Sequence, residues 1–346
     1  MKQSPLHEFN LAHGGRLVDF GGWNMPVQYQ SVLAEHRAVR SSSGFFDVSH
    51  LGRFELRGPG ARGALDRLLC NNLERIEPGQ AQYTLMLNEN GGVVDDIIVW
   101  WWEPGHFWIM PNAVNQPRVM AAFGAEPECE VSDLQMSTAM IAAQGPDSAR
   151  VFEELFGSAP GRFRTRVAEW QGAEVRMAGT GYTGERGGEL VSDPATALGL
   201  ARALVDLGVT PCGLGSRDTL RLEAGFPLWG QELDETTTPL EAGLGFAVDF
   251  DHYFVGMETL QHQSDSGLDR LLVGFILEER GVPRHGFAIR SGASSGEVTS
   301  ANMSPTIETG IGMAYLSPPV ESGLVEVEIR GRWVRGRIKK PPFHKD

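Results

Sequence analysis

Gln82-Tyr-Thr-Leu-Met-Leu87, Asn88-Glu-Asn-Gly-Gly92 and Val93-Val-Asp-Asp-Ile-Ile-Val-Trp100 carry the clearest local signal in the chain. Two strand-like runs flank a short loop containing glycine, which is the pattern of a β-hairpin. Side chains alternate between the faces of a strand. One face then carries Val94, Asp96, Ile98, Trp100 and Trp102, and the other Val93, Asp95, Ile97, Val99 and Trp101. Each row is apolar apart from one carboxylate, as in a strand covered on both sides. An ionised carboxylate there is costly unless it is hydrogen-bonded or paired. Burial raises its pKa from about 3.9, which favours proton exchange near neutrality. The other reading seats both aspartates at the mouth of the strand, where turn N–H groups satisfy them. Alternation does not choose between Asp95 and Asp96.

Working outward, Phe107–Met110 and Ala139–Ala143 also read as strands. Helical spacing occurs over Val32–Val39, with Gly44 as a stop just beyond, and over Ala61–Leu69 after Gly58-Pro59-Gly60. A further helix is expected over Ala195–Leu207. Another is expected from Ser216 to Gly225, with Ser216 as N-cap, Asp218 in the first turn and Gly225 as terminator. Beyond Asp265-Ser-Gly-Leu268 short strands are broken by Gly and Pro, the pattern of a small β-barrel or sandwich. The fold class expected is α+β. A boundary falls between residues 255 and 268, giving a region 1–258 and a C-terminal domain 259–346.

The chain has 346 residues, 41% hydrophobic and 21% charged, enough for two or three structural units. It has no run long and apolar enough to span a membrane and no secretory or transit pattern, so the expectation is a cytoplasmic protein without a membrane role. Cys70, Cys129 and Cys212 are scattered and form no C-x-x-C, which supports neither a disulfide framework nor a metal site. A formal net charge of -14 argues against nucleic-acid binding. The segment from Arg330 to Lys340 is nonetheless strongly basic. It is either a solvated strand face or a docking patch for an anionic partner. Phosphate-loop, dinucleotide, H-E-x-x-H and G-x-S-x-G signatures are missing. Asp47-Val-Ser-His50 has hydrolase-like residue types, but a triad is assembled across a fold, and a turn held by Asp47 is the better explanation.

Two other segments have residue types suited to ligand contact. Gly179-Thr-Gly-Tyr-Thr-Gly-Glu-Arg-Gly-Gly-Glu189 is dense in glycine, which lets backbone approach a ligand. A carboxylate at its end can accept two parallel hydrogen bonds from an amidine-like edge, such as the 2-amino and N3 groups of a pterin. From spacing alone, a plain glycine-rich loop is the better reading. Arg217 near a helix start suits an anion, or an ion pair with Asp218 or a nearby glutamate.

These pieces, in this order, resemble the aminomethyltransferase (T-protein) family of the glycine cleavage system. The resemblance includes Leu17-Val-Asp-Phe-Gly-Gly-Trp-Asn-Met-Pro-Val-Gln-Tyr29, Phe46-Asp-Val-Ser-His50, the hairpin and Gly181-Tyr-Thr-Gly-Glu185. It continues through Gly213–Gly225, Leu233-Asp-Glu235, Arg280–Gly286, Gly296–Ser300 and Ser304-Pro-Thr306. It implies a three-domain clover-like fold, with two intertwined mixed α/β subdomains, a C-terminal β-barrel and tetrahydrofolate in a central channel. Residue by residue, it makes Asp96 the key acidic group beside the reactive folate nitrogens, Glu189 the pterin anchor and Arg217 a second folate contact. Asn112, Tyr83 and Tyr182 match further pocket positions.

The implied reaction moves the methylene of an aminomethyl group on lipoylated H-protein to tetrahydrofolate. Ammonia, 5,10-methylenetetrahydrofolate and the dihydrolipoyl carrier result, and contact with the other cleavage-system proteins is transient. A carbon between sulfur and nitrogen can leave sulfur as an iminium cation, which a carboxylate would stabilise while steering N5. Alternatives are a folate-dependent demethylase acting on a small-molecule donor and a non-catalytic folate-binding protein. Relatives of the latter kind carry a Lys-Gly-Cys-Tyr type motif that this chain lacks. Departures from the family pattern are Gly187-Gly188, Phe246 and Met110-Pro111, the last bringing a proline into what is usually a strand before Asn112, and they bear on pocket shape.

Overall fold

A computed structural model describes residues 1–345. The chain divides into two compact units, neither continuous in sequence. The first holds Met1–Leu68, Leu73–Thr84 and Ile97–Asp218; the second holds Leu69–Asn72, Leu85–Asp96 and the chain from Thr219 onward.

The first unit is built on a six-stranded sheet in the order Thr165–Trp170, Ala173–Ala178, Gly187–Ser192, Ala139–Gln144, Gly44–Asp47, Thr210–Cys212. Only the last pairing is parallel. Ala139–Gln144 lies between two neighbours and is buried along its whole length, which explains its unbroken small-apolar text. Phe45, Ile141, Met177 and Leu190 pack with Val151 and Phe152 of the helix Ser148–Phe156 and with Leu200 and Leu204 of Pro194–Asp206. A second sheet has the order Gln80–Leu87, Val93–Glu103, His106–Met110, Phe54–Arg57, Glu130–Asp133, and the hairpin tip Leu85–Asp96 is counted in the second unit.

In the second unit, strands Leu271–Leu277, Gly310–Ser317, Ser294–Met303, Ala288–Ser291, Leu324–Ile329 and Arg332–Ile338 close into a barrel. Closure comes from the antiparallel pairing of the first with the last. Alternate residues such as Val273, Phe275, Val298 and Val327 fill its interior. Gly312 sits where a side chain would strike the Phe275 ring, and Gly296 where it would overlap the Tyr315 carbonyl. The α+β class with a terminal barrel is as expected, and the barrel closes where a sandwich was also open.

Local expectations need three corrections. Gly44 does not stop a helix: Val32–Ser41 ends before it. Its missing Cβ instead leaves room for Cys212 Sγ and Val39, each 2.6 Å from where that atom would lie. Ser216 is not an N-cap, because the helix Leu214–Ala224 starts two residues earlier. Its hydroxyl donates to the Gly213 carbonyl at 2.9 Å, while Glu35 from a distant helix accepts the Gly213 N–H at 2.8 Å. Pro111 interrupts no strand. It follows Met110, where the strand ends, and its carbonyl accepts the Gly52 N–H at 3.0 Å. The basic segment is an alternating barrel strand whose exposed Arg335 and Arg337 face Glu279 (4.0 Å) and Glu278 (3.4 Å), the pattern of a solvated face.

Candidate active site

In the second unit, the acidic hairpin is seated at its tip. Asn88 turns the loop by accepting the N–H groups of Asn90 and Gly92, each at 3.0 Å. Its amide donates to the Glu235 carbonyl at 2.9 Å. Gly91 takes φ +76°, and a Cβ on Gly92 would overlap that same Glu235 carbonyl, so both positions require glycine. Val93 N donates to the Asp234 carbonyl at 2.9 Å, and Trp229 Nε1 donates to the Val93 carbonyl at 3.2 Å. Leu233-Asp-Glu235 therefore grips the strand just before its two aspartates. The rows are unequal. Val93, Asp95, Ile97, Val99 and Trp101 are all buried, whereas the opposite row opens at Asp96, Ile98 and Trp102. Asp95 is sealed, whereas Asp96 is partly exposed.

In the first unit, Glu189 lies within the strand Gly187–Ser192, between Ala142 and Ala178 of the neighbouring strands. It is buried and accepts the Thr180 hydroxyl at 2.5 Å. Burial pushes its carboxyl above the usual range, against the pull of Arg217 and Thr180. Arg217 is partly exposed as a residue, yet its Nη1 is sealed and has no hydrogen-bond partner. Its guanidinium lies 4.9 Å from the Tyr182 ring centroid. Burial lowers its pKa while Glu189 and then Tyr182 raise it, so the carboxylate acting on Arg217 is Glu189.

The glycines of this segment approach the chain itself, as in the plain-loop reading that spacing favoured, and not a ligand-facing backbone. A Cβ on Gly181 would overlap the Gln144 amide, and on Gly187 the Ala143 carbonyl. Gln144 holds the loop by accepting the Thr183 hydroxyl at 3.0 Å and donating to the Thr180 carbonyl at 3.1 Å. Gly188 is equally confined, with Pro160 Cγ 2.8 Å from where its Cβ would lie. Glu185 pairs with Arg40 at 2.7 Å.

Sequence reasoning quoted His50 and passed over it. The Asp47 turn exists as expected: Asp47 accepts Ser49 N–H at 3.0 Å, Asn10 Nδ2 at 2.8 Å and the Ser4 hydroxyl. The turn also aims a buried imidazole whose Nδ1 has no partner. Burial, then the charges of Arg217 and Arg53, push its pKa down to about 3, so it is neutral. No local pattern announces this, since Arg217 is far away in sequence. The structure thus groups Glu189, Arg217, Tyr182 and His50 in the first unit. Tyr83 and Asn112 are partly buried there too, on the strand Gln80–Leu87 and in the turn before the helix Gln116–Gly124. Asp96 stands in the second unit.

Residues 6–252 match the family described as GCVT N-terminal domain, and residues 270–345 the glycine cleavage T-protein C-terminal barrel domain. An aminomethyltransferase from Rubrobacter xylanophilus is 47% identical over 354 aligned positions, covering 100% of this chain and 95% of that protein. The chain belongs to the aminomethyltransferase family. It is accordingly an enzyme of the aminomethyltransferase class. The relative from Halothermothrix orenii is 41% identical, covering 99% of this chain and 100% of that protein. The crystal structure of glycine cleavage system aminomethyltransferase T from Bartonella henselae superposes with a TM-score of 0.90 at 31% identity, covering 99% of this chain and 98% of that one.

Several family motifs in the second unit turn out to be structural. Arg221 bonds Glu232 at 2.9 Å and Ser300 at 2.8 Å, both buried, and Glu223 accepts the hydroxyls of Ser304 and Thr306. These contacts tie the 219–225 segment to the barrel loops. No helix among the described residues is long and apolar enough to cross a membrane.

Proposed function

We propose that this aminomethyltransferase takes the methylene of an aminomethyl group carried on the lipoyl arm of H-protein and joins it to tetrahydrofolate. The other products are ammonia and the dihydrolipoyl carrier. The observation that carries the folate part is the unpaired Nη1 of Arg217 beside buried Glu189 and stacked Tyr182. A sealed N–H without a partner is rare in a finished interior, and a ligand acceptor would satisfy it. Glu189 offers a carboxylate for the paired N–H groups of a pterin edge, and the Tyr182 ring offers a face to lie against. Together these groups suit an aromatic heterocycle with donors and acceptors on one edge.

Asp96 carries the chemistry in this reading. The carbon between sulfur and nitrogen gains positive charge as it is released. A carboxylate on the open row of a clamped strand stabilises that charge without having to reorganise. Atoms balance: of the two hydrogens lost from N5 and N10 of the folate, one ends on sulfur and one on the departing ammonia. Alignment of donor and acceptor supplies much of the rest of the rate. The other cleavage-system proteins are transient partners, and the lipoylated carrier is the obligatory one.

The test is ammonia release from aminomethylated H-protein, with and without tetrahydrofolate. The wild type should release ammonia in a folate-dependent way, and Asp96→Asn should lower kcat by about 10²–10³-fold. Absence of folate-dependent release by the wild type would sink the reaction. Full activity in Asp96→Asn would remove that residue from it.

A further inference from the structure

We propose that Thr180 is a positioning residue for the reaction: its hydroxyl holds the plane of the Glu189 carboxylate at the angle the pterin edge requires. This assignment rests on the folate reading above, in which Glu189 is the anchor, and extends it to the residues that keep the anchor in place.

Glu189 Oε2 accepts the Thr180 hydroxyl at 2.5 Å, and both residues are buried. The backbone that carries the hydroxyl is fixed on either side. Before it, the Gly179 N–H donates to the Arg164 carbonyl at 2.9 Å, and the Gly179 carbonyl accepts the Phe163 N–H at 3.0 Å. Gln144 Nε2 then donates to the carbonyl of Thr180 itself at 3.1 Å. After it, a Cβ on Gly181 would lie 2.0 Å from Gln144 Oε1, which accepts the Thr183 hydroxyl at 3.0 Å. Arg40 donates to the Thr183 carbonyl at 2.7 Å. Gln144 stands opposite Gly187, two residues before Glu189, so the clamp and the anchor leave the same face of one sheet. A β-branched side chain on a fixed backbone has few ways to turn, and the Thr180 hydroxyl is aimed accordingly.

The chemistry of the anchor explains why such a donor matters. A glutamate side chain turns about several bonds, whereas an acceptor for two parallel N–H groups has to present its plane at one angle. One hydrogen bond from a fixed donor supplies that restraint. It occupies one of roughly four lone-pair positions on a carboxylate, which leaves capacity for two ligand N–H groups. A donor also favours the ionised form, the one that accepts both, and so works against the effect of burial on this carboxyl. The loop does not depend on the hydroxyl. Gln144, Arg40 and the Gly179 backbone already tie it to its surroundings, so the loss of the hydroxyl falls on Glu189.

The test combines anaerobic calorimetry of tetrahydrofolate binding with ammonia release from aminomethylated H-protein. Thr180→Val, which exchanges the hydroxyl for a methyl, should raise Kd and KM for tetrahydrofolate about tenfold while kcat stays within about threefold. Thr180→Ser, which keeps the hydroxyl, should recover affinity to within about threefold of the wild type. In a Glu189→Gln background, Thr180→Val should cost less than about twofold more, because Thr180 acts through that carboxylate. An unchanged Kd in Thr180→Val, equal losses in the Val and Ser variants, or a full tenfold loss on top of Glu189→Gln would each overturn the proposal. Should Thr180→Val not fold, Thr180→Ala takes its place under the same criteria, and a tenfold loss in Thr180→Ser alone also overturns it. No binding of tetrahydrofolate by the wild type would bring down the folate reading itself. Binding and folate-dependent ammonia release intact, with Thr180→Val unaffected, would bring down only the role of Thr180.

Discussion

The buried imidazole of His50 makes the protein sensitive to acid in a calculable way. The pKa of His50 falls from its ordinary 6.5 to about 3 on folding, through burial and then the charges of Arg217 and Arg53. Between those values the unfolded chain binds a proton that the folded chain refuses. Stability therefore declines as pH drops through 6.5, and the loss is complete near 3. At about 1.4 kcal/mol per pH unit, the full effect is about 5 kcal/mol, and the part lost between pH 7 and pH 5 is about 2 kcal/mol. Glu189 works in the opposite sense: with its folded pKa raised, its contribution to stability increases as pH falls through that value. Replacing His50 by Gln leaves Glu189 in place, so the difference between wild type and variant isolates the imidazole. Urea unfolding followed by tryptophan fluorescence suits the measurement, because six of the eight tryptophans belong to the first unit. The wild type should lose about 2 kcal/mol more than His50→Gln between pH 7 and pH 5. Parallel stability–pH curves would refute the reasoning.

Arg53 is wholly buried, and its five guanidinium N–H groups meet the carbonyls of Ser49, Leu51, Gln135 and Thr138 and the Thr138 hydroxyl. Arg53→Met should cost about 3–5 kcal/mol in denaturant unfolding. Arg53→Lys should rescue little of this, since three donors cannot serve five acceptors. Reversing Arg335 and Arg337 to Glu should leave H-protein affinity in low salt within about twofold, because both already face neighbouring glutamates at the surface; a tenfold loss would identify the basic strand as a docking patch.

What could be read from the sequence was what depends on neighbours along the chain. The hairpin was legible because alternation and a glycine loop lie within twenty residues of each other, and the barrel because short strands and breakers recur. Ser216 misled because the helix already starts at Leu214, and the carboxylate that holds its entry, on the Gly213 N–H, comes from Glu35 in another helix altogether. The glycines of 179–188 left two readings open for a related reason, and the plain loop that spacing favoured is the one found. A missing Cβ makes room for something, but sequence does not say whether that is a ligand or Gln144 of the same sheet. The resemblance named Glu189 and Arg217, and the structure added what no motif contains: that Arg217 carries an unpaired N–H and that His50 falls within reach of its charge.

The same distinction bears on the two aspartates. A slip of one residue in a strand exchanges its faces, so Asp95 and Asp96 are separated only by the phase of the hairpin. That phase is set at the tip. Glycine at position 92 lets the chain pass against the Glu235 carbonyl, and Val93 is bonded on both sides, to Asp234 and to Trp229. With Val93 held, Asp95 turns into the sealed row and Asp96 into the open one. The motif Leu233-Asp-Glu235 and the paired glycines therefore touch no reacting group in this account. They decide which of two chemically identical side chains is sealed and which is partly exposed, and a change there should exchange or blur the two environments while leaving both carboxylates in the sequence.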